Sequence, residues 1–472
     1  MKYTPTIGIE CHVQLATKTK LFSAVDNDAR DKAANSCVSP IDYALPGMLP
    51  VLNQEAVHLA IRAGLTMNCK INLTSRFDRK HYYYPDLPKG YQISQFYQPI
   101  IGPGKITLAD NSTVRIEHAH LEEDAGKLTH FGDYSLVDLN RAGTPLLEIV
   151  SQPDIHSEQQ ARLYCEELWR LMTYTKVSHG DLYHGNMRFD VNISLSATDQ
   201  LGTRAEIKNL NSFRSVQRAV EYEIKRQAEL LEKGEKIKQE TRGWSDAKGK
   251  TTAQRSKEQA QDYRYMPEPD IPPIVLDQDF VEKERTTLPL LPTDYRDKLK
   301  DIIPGTTLEI LLNHQPLADK VIQLLSLSTP VITTKIVNLF TSVLLAEENH
   351  NLLEQPLPST NNLLELAQML ENNELSSSAG KTIFLKLYNF EGDEKSPFAL
   401  AKEMNLLQQN DSATLDNLID QVLADPAATK AAADVRAGEQ KALGFLVGQV
   451  MKHSHGQANP AIVAKILNQK LK

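Results

Sequence analysis

The chain has 472 residues, 41% of them hydrophobic and 24% charged, and carries a formal net charge of -8. That length calls for two or three domains, and that composition is ordinary for a soluble globular protein. The acidic total excludes a surface coated evenly in basic residues, while a local basic patch for RNA stays compatible with it.

The chain opens on an alternating segment, Thr6 to Leu15. Ile7, Ile9, Cys11, Val13 and Leu15 share one face, and Gly8, Glu10, His12 and Gln14 share the other. A half-buried strand is predicted, with Glu10 and His12 side by side, roughly 7 Å apart along it. Further on, Gly102-Pro-Gly-Lys105 imitates the end of a phosphate loop, but Pro99 stands where the upstream glycine belongs, and the segment reads as a hairpin turn. Glu122-Glu-Asp-Ala-Gly-Lys127 reads as an acidic turn. Ser157 to Thr175 has apolar residues at helical spacing.

Two more strands repeat the first design. In Arg188 to Leu195, Phe189, Val191, Ile193 and Leu195 point inward while Arg188, Asp190, Asn192 and Ser194 point away. In Arg204 to Lys208, Ala205 and Ile207 are inward and Arg204, Glu206 and Lys208 outward. A helix follows from Ser212 to Lys233, with Val216, Ala219, Val220 and Ile224 on one side. The proline-rich passage from Met266 to Pro273 is predicted to be stiff and extended.

Near residue 290 the strand signals fade. Helices are predicted at Pro316–Leu325, Leu363–Asn372, Lys381–Tyr388 and Ala413–Ala424. The expected fold is α+β, with a mainly antiparallel-sheet domain over 1–290. An all-helical domain over 291–395 and a small helical tail domain over 396–472 complete it.

The four cysteines (Cys11, Cys37, Cys69 and Cys165) form no C-x-x-C pair, which predicts a reduced, cytoplasmic setting. No basic segment followed by an apolar core stands at the N-terminus, and no apolar run of about 18 residues occurs, so neither a signal peptide nor a membrane-spanning helix is expected.

If the three alternating strands share one sheet, its polar face gathers several carboxylates, one imidazole and one or two lysines. Oxygen ligands with a single histidine suit Mg²⁺ or Mn²⁺ better than zinc. Such an ion would clamp ATP phosphates, with lysines countering charge on the transferred phosphoryl group. On spacing alone the commoner explanation is the wet face of an antiparallel sheet. There is no G-x-S-x-G and no glycine- and serine-rich amidase loop. No cysteine is set as a glutaminase nucleophile, since Cys165 falls in a predicted helix and Cys11 on an apolar face. Any amide chemistry must therefore draw its ammonia from elsewhere.

Between Arg436 and Lys472 six Lys or Arg (Arg436, Lys441, Lys452, Lys465, Lys470 and Lys472) face one acid, Glu439, and His453 and His455 add to the stretch. A cationic tail on an acidic chain is the footprint expected of contact with RNA phosphates; a plain helical bundle with a basic surface explains the charge equally well. Gly444 and Gly448 share a helical face, which predicts close approach of another backbone.

Several long motifs occur in order. They are Ile-Gly-Ile-Glu10-Cys-His12-Val-Gln-Leu, Phe77-Asp-Arg-Lys80, Tyr84-Pro-Asp-Leu-Pro-Lys-Gly-Tyr-Gln-Ile-Ser-Gln95 and Glu122-Glu-Asp-Ala-Gly-Lys127. Asn140-Arg-Ala-Gly-Thr-Pro-Leu-Leu-Glu-Ile-Val150, Glu206-Ile-Lys-Asn-Leu-Asn-Ser-Phe213, Gln239-Glu-Thr-Arg242 and Asp262-Tyr-Arg-Tyr-Met-Pro-Glu-Pro-Asp270 follow, and Gly444-Phe-Leu-Val-Gly-Gln-Val-Met-Lys452 and Gln457-Ala-Asn-Pro460 close the series. The series resembles the GatB/GatE family, the B subunits of aspartyl/glutamyl-tRNA amidotransferases, over essentially the whole chain.

The resemblance implies a cradle-shaped kinase-like domain, a helical domain and a tRNA-binding tail. It implies ATP-dependent phosphorylation of the side-chain carboxylate of Asp on tRNA(Asn) or Glu on tRNA(Gln), then displacement of the phosphate by ammonia. An amidase A subunit releases that ammonia from glutamine, and a small C subunit ties the large ones together. Carried over by position, Glu10, His12, Glu122, Glu123 and Asp190 would bind Mg²⁺. Glu10, His12, Glu122, Glu123 and Lys208 would serve catalysis. Lys89, Tyr91, Asn192 and Glu206 would meet the nucleotide or the tRNA end, and Lys441, Lys452, His453 and Lys465 the tRNA body. The chain departs from the family pattern at Cys11, at His81 and at Phe189, each of which leaves the neighbouring polar groups in place. A binding module with a dead kinase site, and a stand-alone ligase using free ammonia, are the competing expectations.

Overall fold

The computed structural model describes residues 3–256, 262–346, 352–388, 395–408, 411–454 and 457–471. Two of the expected basic-tail residues, His455 and Lys472, lie outside the described residues. The chain forms two compact units, Met1–Asp294 and Tyr295–Lys472. No helix among the described residues is long and apolar enough to cross a membrane.

In the first unit the elements run β1 (Thr4–Gln14), α1 (Gln54–Thr66), β2 (Thr74–Ser75), β3 (Asp78–His81), β4 (Tyr91–Ser94), β5 (Gly104–Thr107), β6 (Thr113–Glu123), β7 (Lys127–Phe131), β8 (Tyr134–Asp138) and β9 (Pro145–Ser151). They continue with α2 (Glu158–Tyr174), β10 (Met187–Ser196), β11 (Ala205–Leu210), α3 (Phe213–Glu232), β12 (Glu240–Ser245), β13 (Lys250–Ser256), β14 (Met266–Pro267), β15 (Ile274–Val275) and α4 (Gln278–Thr286).

Eight strands make one sheet in the order β13-β12-β11-β10-β1-β9-β6-β5. All its pairings are antiparallel except β11 with β12. The α+β class and the mainly antiparallel sheet are as expected.

Strand β1 lies mid-sheet because its apolar residues demand cover. Ile7, Ile9, Cys11 and Val13 are all 0% exposed, and burying each aliphatic side chain contributes about 1.5–3 kcal/mol. They belong to a core that takes in residues of α1, α2 and α3. The two long helices begin at serine caps: Ser157 accepts from Gln160 N–H and Ser212 from Ser215 N–H. All four cysteines are unpaired and buried.

Three local expectations need correction. The hairpin joins β5 to β6 through residues 108–112, so Gly102–Lys105 is the entry to β5. A Cβ on Gly104 would fall 2.3 Å from Cys69 Sγ, so close approach, and no phosphate, explains that glycine. Glu122 and Glu123 end strand β6 instead of forming a turn. Gly444 and Gly448 are exposed, with open space where a Cβ would sit; the predicted close approach of another backbone is absent among the described residues.

The second unit is helical: α5 (Pro292–Leu299) reaches into it, then α6 (Gly305–Leu311), α7 (Gln315–Leu327), α8 (Pro330–Leu339) with a π-helical turn (Phe340–Leu344), α9 (Thr360–Glu371) and α10 (Ser377–Tyr388). α11 (Pro397–Glu403), α12 (Ser412–Ala424), α13 (Pro426–Arg436), α14 (Gln440–His453) and α15 (Pro460–Lys470) complete it. The last four helices share a core of their own built on Leu415, Ile419, Leu446, Val450, Val463 and Leu467. The expected division at 395/396 falls inside this unit.

Candidate active site

Register decides which polar side chains meet. Across the sheet His12 of β1 pairs with Arg188 of β10 and Glu148 of β9, and Glu148 pairs with His120 of β6. One step along, Glu10 pairs with Asp190, and Asn192 pairs with Glu206. Because all these strands alternate in phase, the side chains stand on the one polar face.

At its centre His12, Glu122 and Glu148 each offer a ligand atom, all within 4.8 Å of one another. His12 Nε2 is 3.5 Å from Glu122 Oε1 and 3.5 Å from Glu148 Oε2. His120 Nε2 is 3.5 Å from the same Glu148 oxygen. Beside this group Asn192 donates to Glu10 Oε1 at 2.8 Å. Lys208 Nζ bridges Asp190 Oδ2 at 2.6 Å and Glu206 Oε1 at 3.0 Å.

The charges support one another. Burial opposes a charge on His12, but the hydrogen bond and charge of Glu148, aided by Glu122 and Asp190, push its pKa up to about 9. Burial likewise opposes ionisation of Glu148, and His120, His12 and Lys80 outweigh it, holding the carboxyl well below the usual carboxylate range. Glu122 is lowered in the same way, by His120, His12 and Lys80 acting against burial. Glu10 goes the other way: burial, then the charge of Glu148, raises it. Lys208 overcomes its burial through Asp190 and Glu206 and is held ionised.

Two cavities meet at this group. The first, about 520 Å³, is lined by His12, Glu122, Arg188, Asp190 and Lys208. The second, about 600 Å³, is lined by Glu10, His118, His120, Glu148, Phe96 and Tyr265. Lys80 lines both, and the charges of Glu122 and Glu148 keep it protonated despite its burial.

Thus Glu10, His12, Glu122, Asp190, Asn192, Glu206 and Lys208 share one polar face. Glu123 stands apart from them. As the next residue on the strand after Glu122 it turns to the other side, where Lys89 Nζ grips its carboxylate at 2.5 Å and Ile93 N–H donates to it at 2.9 Å. Lys89 is held there, 5.8 Å from the ring centre of Tyr91, whose other cation is Arg79 at 4.4 Å. Arg79 in turn forks onto Glu268 at 2.8 and 2.9 Å. Among the tail residues Lys441, Lys452, His453 and Lys465 are exposed, whereas Lys470 is paired with Asp416 and Asp420.

Sequence reasoning misses Glu148, His120 and Lys80. Glu148 hides in an apolar run, Pro145 to Val150. His118, His120 and Glu122 carry the same two-residue alternation as β1, and that signal is enough to place them on one face.

The donor set fits a hard divalent cation. Two carboxylates and one imidazole converge, and Glu122 Oε2 is buried with no hydrogen-bond partner. That is an oxygen-rich set of the kind Mg²⁺ or Mn²⁺ takes.

Known proteins match the chain over its whole length. Residues 5–282 match the profile of the GatB/GatE catalytic domain, and residues 324–471 that of the GatB domain. The chain is 42% identical to the B subunit of the aspartyl/glutamyl-tRNA(Asn/Gln) amidotransferase of Persephonella marina, over 100% of both chains. It is 42% identical to the protein of the same name from Bdellovibrio bacteriovorus, over 100% of this chain and 99% of the relative, and 39% identical to that of Thermotoga maritima with the same coverage.

Proposed function

The chain belongs to the GatB/GatE family, and from that premise we propose that it is the B subunit of a tRNA-dependent amidotransferase, a carbon–nitrogen ligase of the cytoplasm. ATP gives its γ-phosphoryl group to a side-chain carboxylate oxygen of Asp on tRNA(Asn) or Glu on tRNA(Gln), and ADP leaves. Ammonia attacks the activated carbonyl, loses a proton, and phosphate departs with the C–O electron pair. The product is the corresponding amide on tRNA. The ammonia comes from glutamine on an amidase A subunit, with a small C subunit joining the two.

The observation that carries this reading is the His12–Glu122–Glu148 group at the meeting point of two cavities. Those three residues would hold Mg²⁺, which when bound supplies the charge that lets a carboxylate and a γ-phosphate approach each other. Lys80, lining both cavities, balances charge on the phosphoryl group during its transfer. Asp190 and Glu206 fix the direction of Lys208 for the same purpose. Glu10, held by Asn192 and with its pKa raised, is suited to take the proton that the attacking ammonia loses. The first unit is the kinase-like domain; the exposed cations of α14 and α15 meet the tRNA body.

The test is amidation by the chain with its amidase partner, Mg-ATP, glutamine and Asp- or Glu-charged tRNA. Wild type should give amidated tRNA, and His12→Ala should lose the product while still binding tRNA. If wild type binds tRNA yet yields nothing even with free ammonia, the chain is a binding module. Turnover on free ammonia with no partner would make it a stand-alone ligase.

A further inference from the structure

A pair of stacked rings stands at the rim of the second cavity. Phe96 and Tyr265 lie face to face, with ring centres 4.1 Å apart and planes 16° from parallel. Tyr97 meets Phe96 edge to face at 5.0 Å. Even so, Phe96 is 56% exposed and Tyr97 61% exposed.

These rings are held out by buried polar groups. The carboxylate of Asp78, itself 3% exposed, accepts the backbone N–H of Phe96 at 2.8 Å and of Tyr97 at 3.0 Å. The amide oxygen of fully buried Gln95 accepts Ile100 N–H at 3.3 Å and Leu121 N–H at 3.1 Å, tying the same turn to β6. Single exposed aromatics on a surface are ordinary. Two in succession, fixed by buried acceptors beside a cavity that reaches Glu10 and Glu148, form a preorganised recognition surface.

A flat, neutral, polarisable face of this kind is suited to a heteroaromatic base, which stacks without needing a charged partner. Asn72, whose amide nitrogen donates to Pro99 O at 2.8 Å, and Ser94 line the same cavity and make its wall polar. The proposed reaction brings two adenosines to this place, that of ATP and the one that ends tRNA. We propose that the Phe96–Tyr265 stack is an adenine platform, on which the base packs against Phe96 while the reacting end of the same molecule reaches the His12–Glu122–Glu148 group. The platform rests on that functional reading.

The test compares wild type, Phe96→Ala, Tyr265→Ala and Phe96→Trp, each as the full chain assembled with its amidase partner. Equilibrium dialysis gives Kd for Mg-ATP and for Mg-tripolyphosphate, and steady-state amidation gives KM for charged tRNA at saturating ATP. Thermal unfolding checks that each variant is folded. Loss of one base–aromatic stack weakens binding about five- to a hundredfold. Weaker Mg-ATP binding of that order in Phe96→Ala and Tyr265→Ala, unchanged tripolyphosphate binding, and recovery in Phe96→Trp would assign the platform to ATP. A raised KM for tRNA with ATP binding unchanged would assign it to the terminal adenosine. No change in either overturns the platform, and so does an equal loss of ATP and tripolyphosphate, because then no base contact was removed. A wild-type assembly that binds no Mg-ATP overturns the functional reading, and the platform with it.

Discussion

Glu148 of β9 faces His12 of β1 across the polar side of the sheet, its Oε2 3.5 Å from the imidazole Nε2. The same oxygen lies 3.5 Å from His120 Nε2, so one carboxylate orders two imidazoles. Glu148→Gln keeps the shape and deletes the charge. Amidation should fall about a hundredfold or more, the scale seen when one preorganised electrostatic group is removed. Steady-state kcat of the assembled enzyme measures this, and unchanged turnover would show Glu148 to be a structural spectator.

The raised pKa of His12 ties metal affinity to pH. Without a cation the imidazole holds its proton up to about pH 9, and that proton must leave before the nitrogen can bind Mg²⁺. Apparent Mg²⁺ affinity should therefore climb with pH, by about tenfold per unit between pH 7 and 9 for one displaced proton. Without metal the sign for stability is opposite: the folded pKa lies above the unfolded one. The contribution is therefore complete below about pH 6.5 and lost as pH rises through 9. Calorimetry at pH 7.5 in two buffers of different ionisation heat should show about one proton released per cation bound.

Lys208 is held by Asp190 and Glu206 at 2.6 and 3.0 Å. Lys208→Met should lower kcat by about ten- to a hundredfold with little change in KM for tRNA, since the charge is proposed to act on the transferred group. Lys208→Arg should recover part of the rate. A change confined to KM would place the lysine in substrate binding alone.

A buried ion pair sets a stability prediction. Lys20, 0% exposed, donates to Asp42, 5% exposed, at 3.0 Å. Lys20→Ala leaves that carboxylate buried without its counter-charge, holding only hydrogen bonds such as that from Ser39 N–H at 2.8 Å, at a cost of about 3–5 kcal/mol. Urea unfolding should show the loss, and a shift below about 1 kcal/mol would mean that water reaches Asp42.

The tail cations are predicted to be unequal. Lys441, Lys452 and Lys465 are exposed, whereas Lys470 is engaged by two aspartates. Alanine at each of the first three should lower the salt slope of tRNA binding by about 0.7–0.9. Lys470→Ala should change it less. Equal effects at all four would point to a diffuse field instead of direct phosphate contacts.

The polar faces of β1, β10 and β11 are legible in the sequence because every intervening residue is apolar, so period two has one solution. The alternation puts Glu10 with His12, Asp190 with Asn192 and Glu206 with Lys208. It cannot place Glu148, because a strand covered on both sides reads as a nearly continuous apolar run and a lone acid in it carries no phase. Nor does a local pattern supply the pairing of β9 with β1 and β6, which joins residues far apart in the chain and alone makes the His12–Glu122–Glu148 group. Glu122 and Glu123 show the same limit. A pair of acids reads as one turn, whereas a strand that continues through both sends one to His12 and the other to Lys89. In the helical unit, spacing locates the helices well, yet Gly444 and Gly448 suggest a helix contact that the packing of α14 puts on the opposite face.

The most direct measurement follows the oxygen. Asp- or Glu-charged tRNA labelled with ¹⁸O in the side-chain carboxylate is turned over by the assembled enzyme with Mg-ATP and glutamine, and the inorganic phosphate is analysed by mass. Activation by phosphoryl transfer moves one carboxylate oxygen into phosphate for every amide formed, so labelled phosphate should appear in step with amidated tRNA and fall with it, about a hundredfold, in Glu148→Gln. Amide formed with unlabelled phosphate would contradict an acyl phosphate, and with it the role given to the His12–Glu122–Glu148 group.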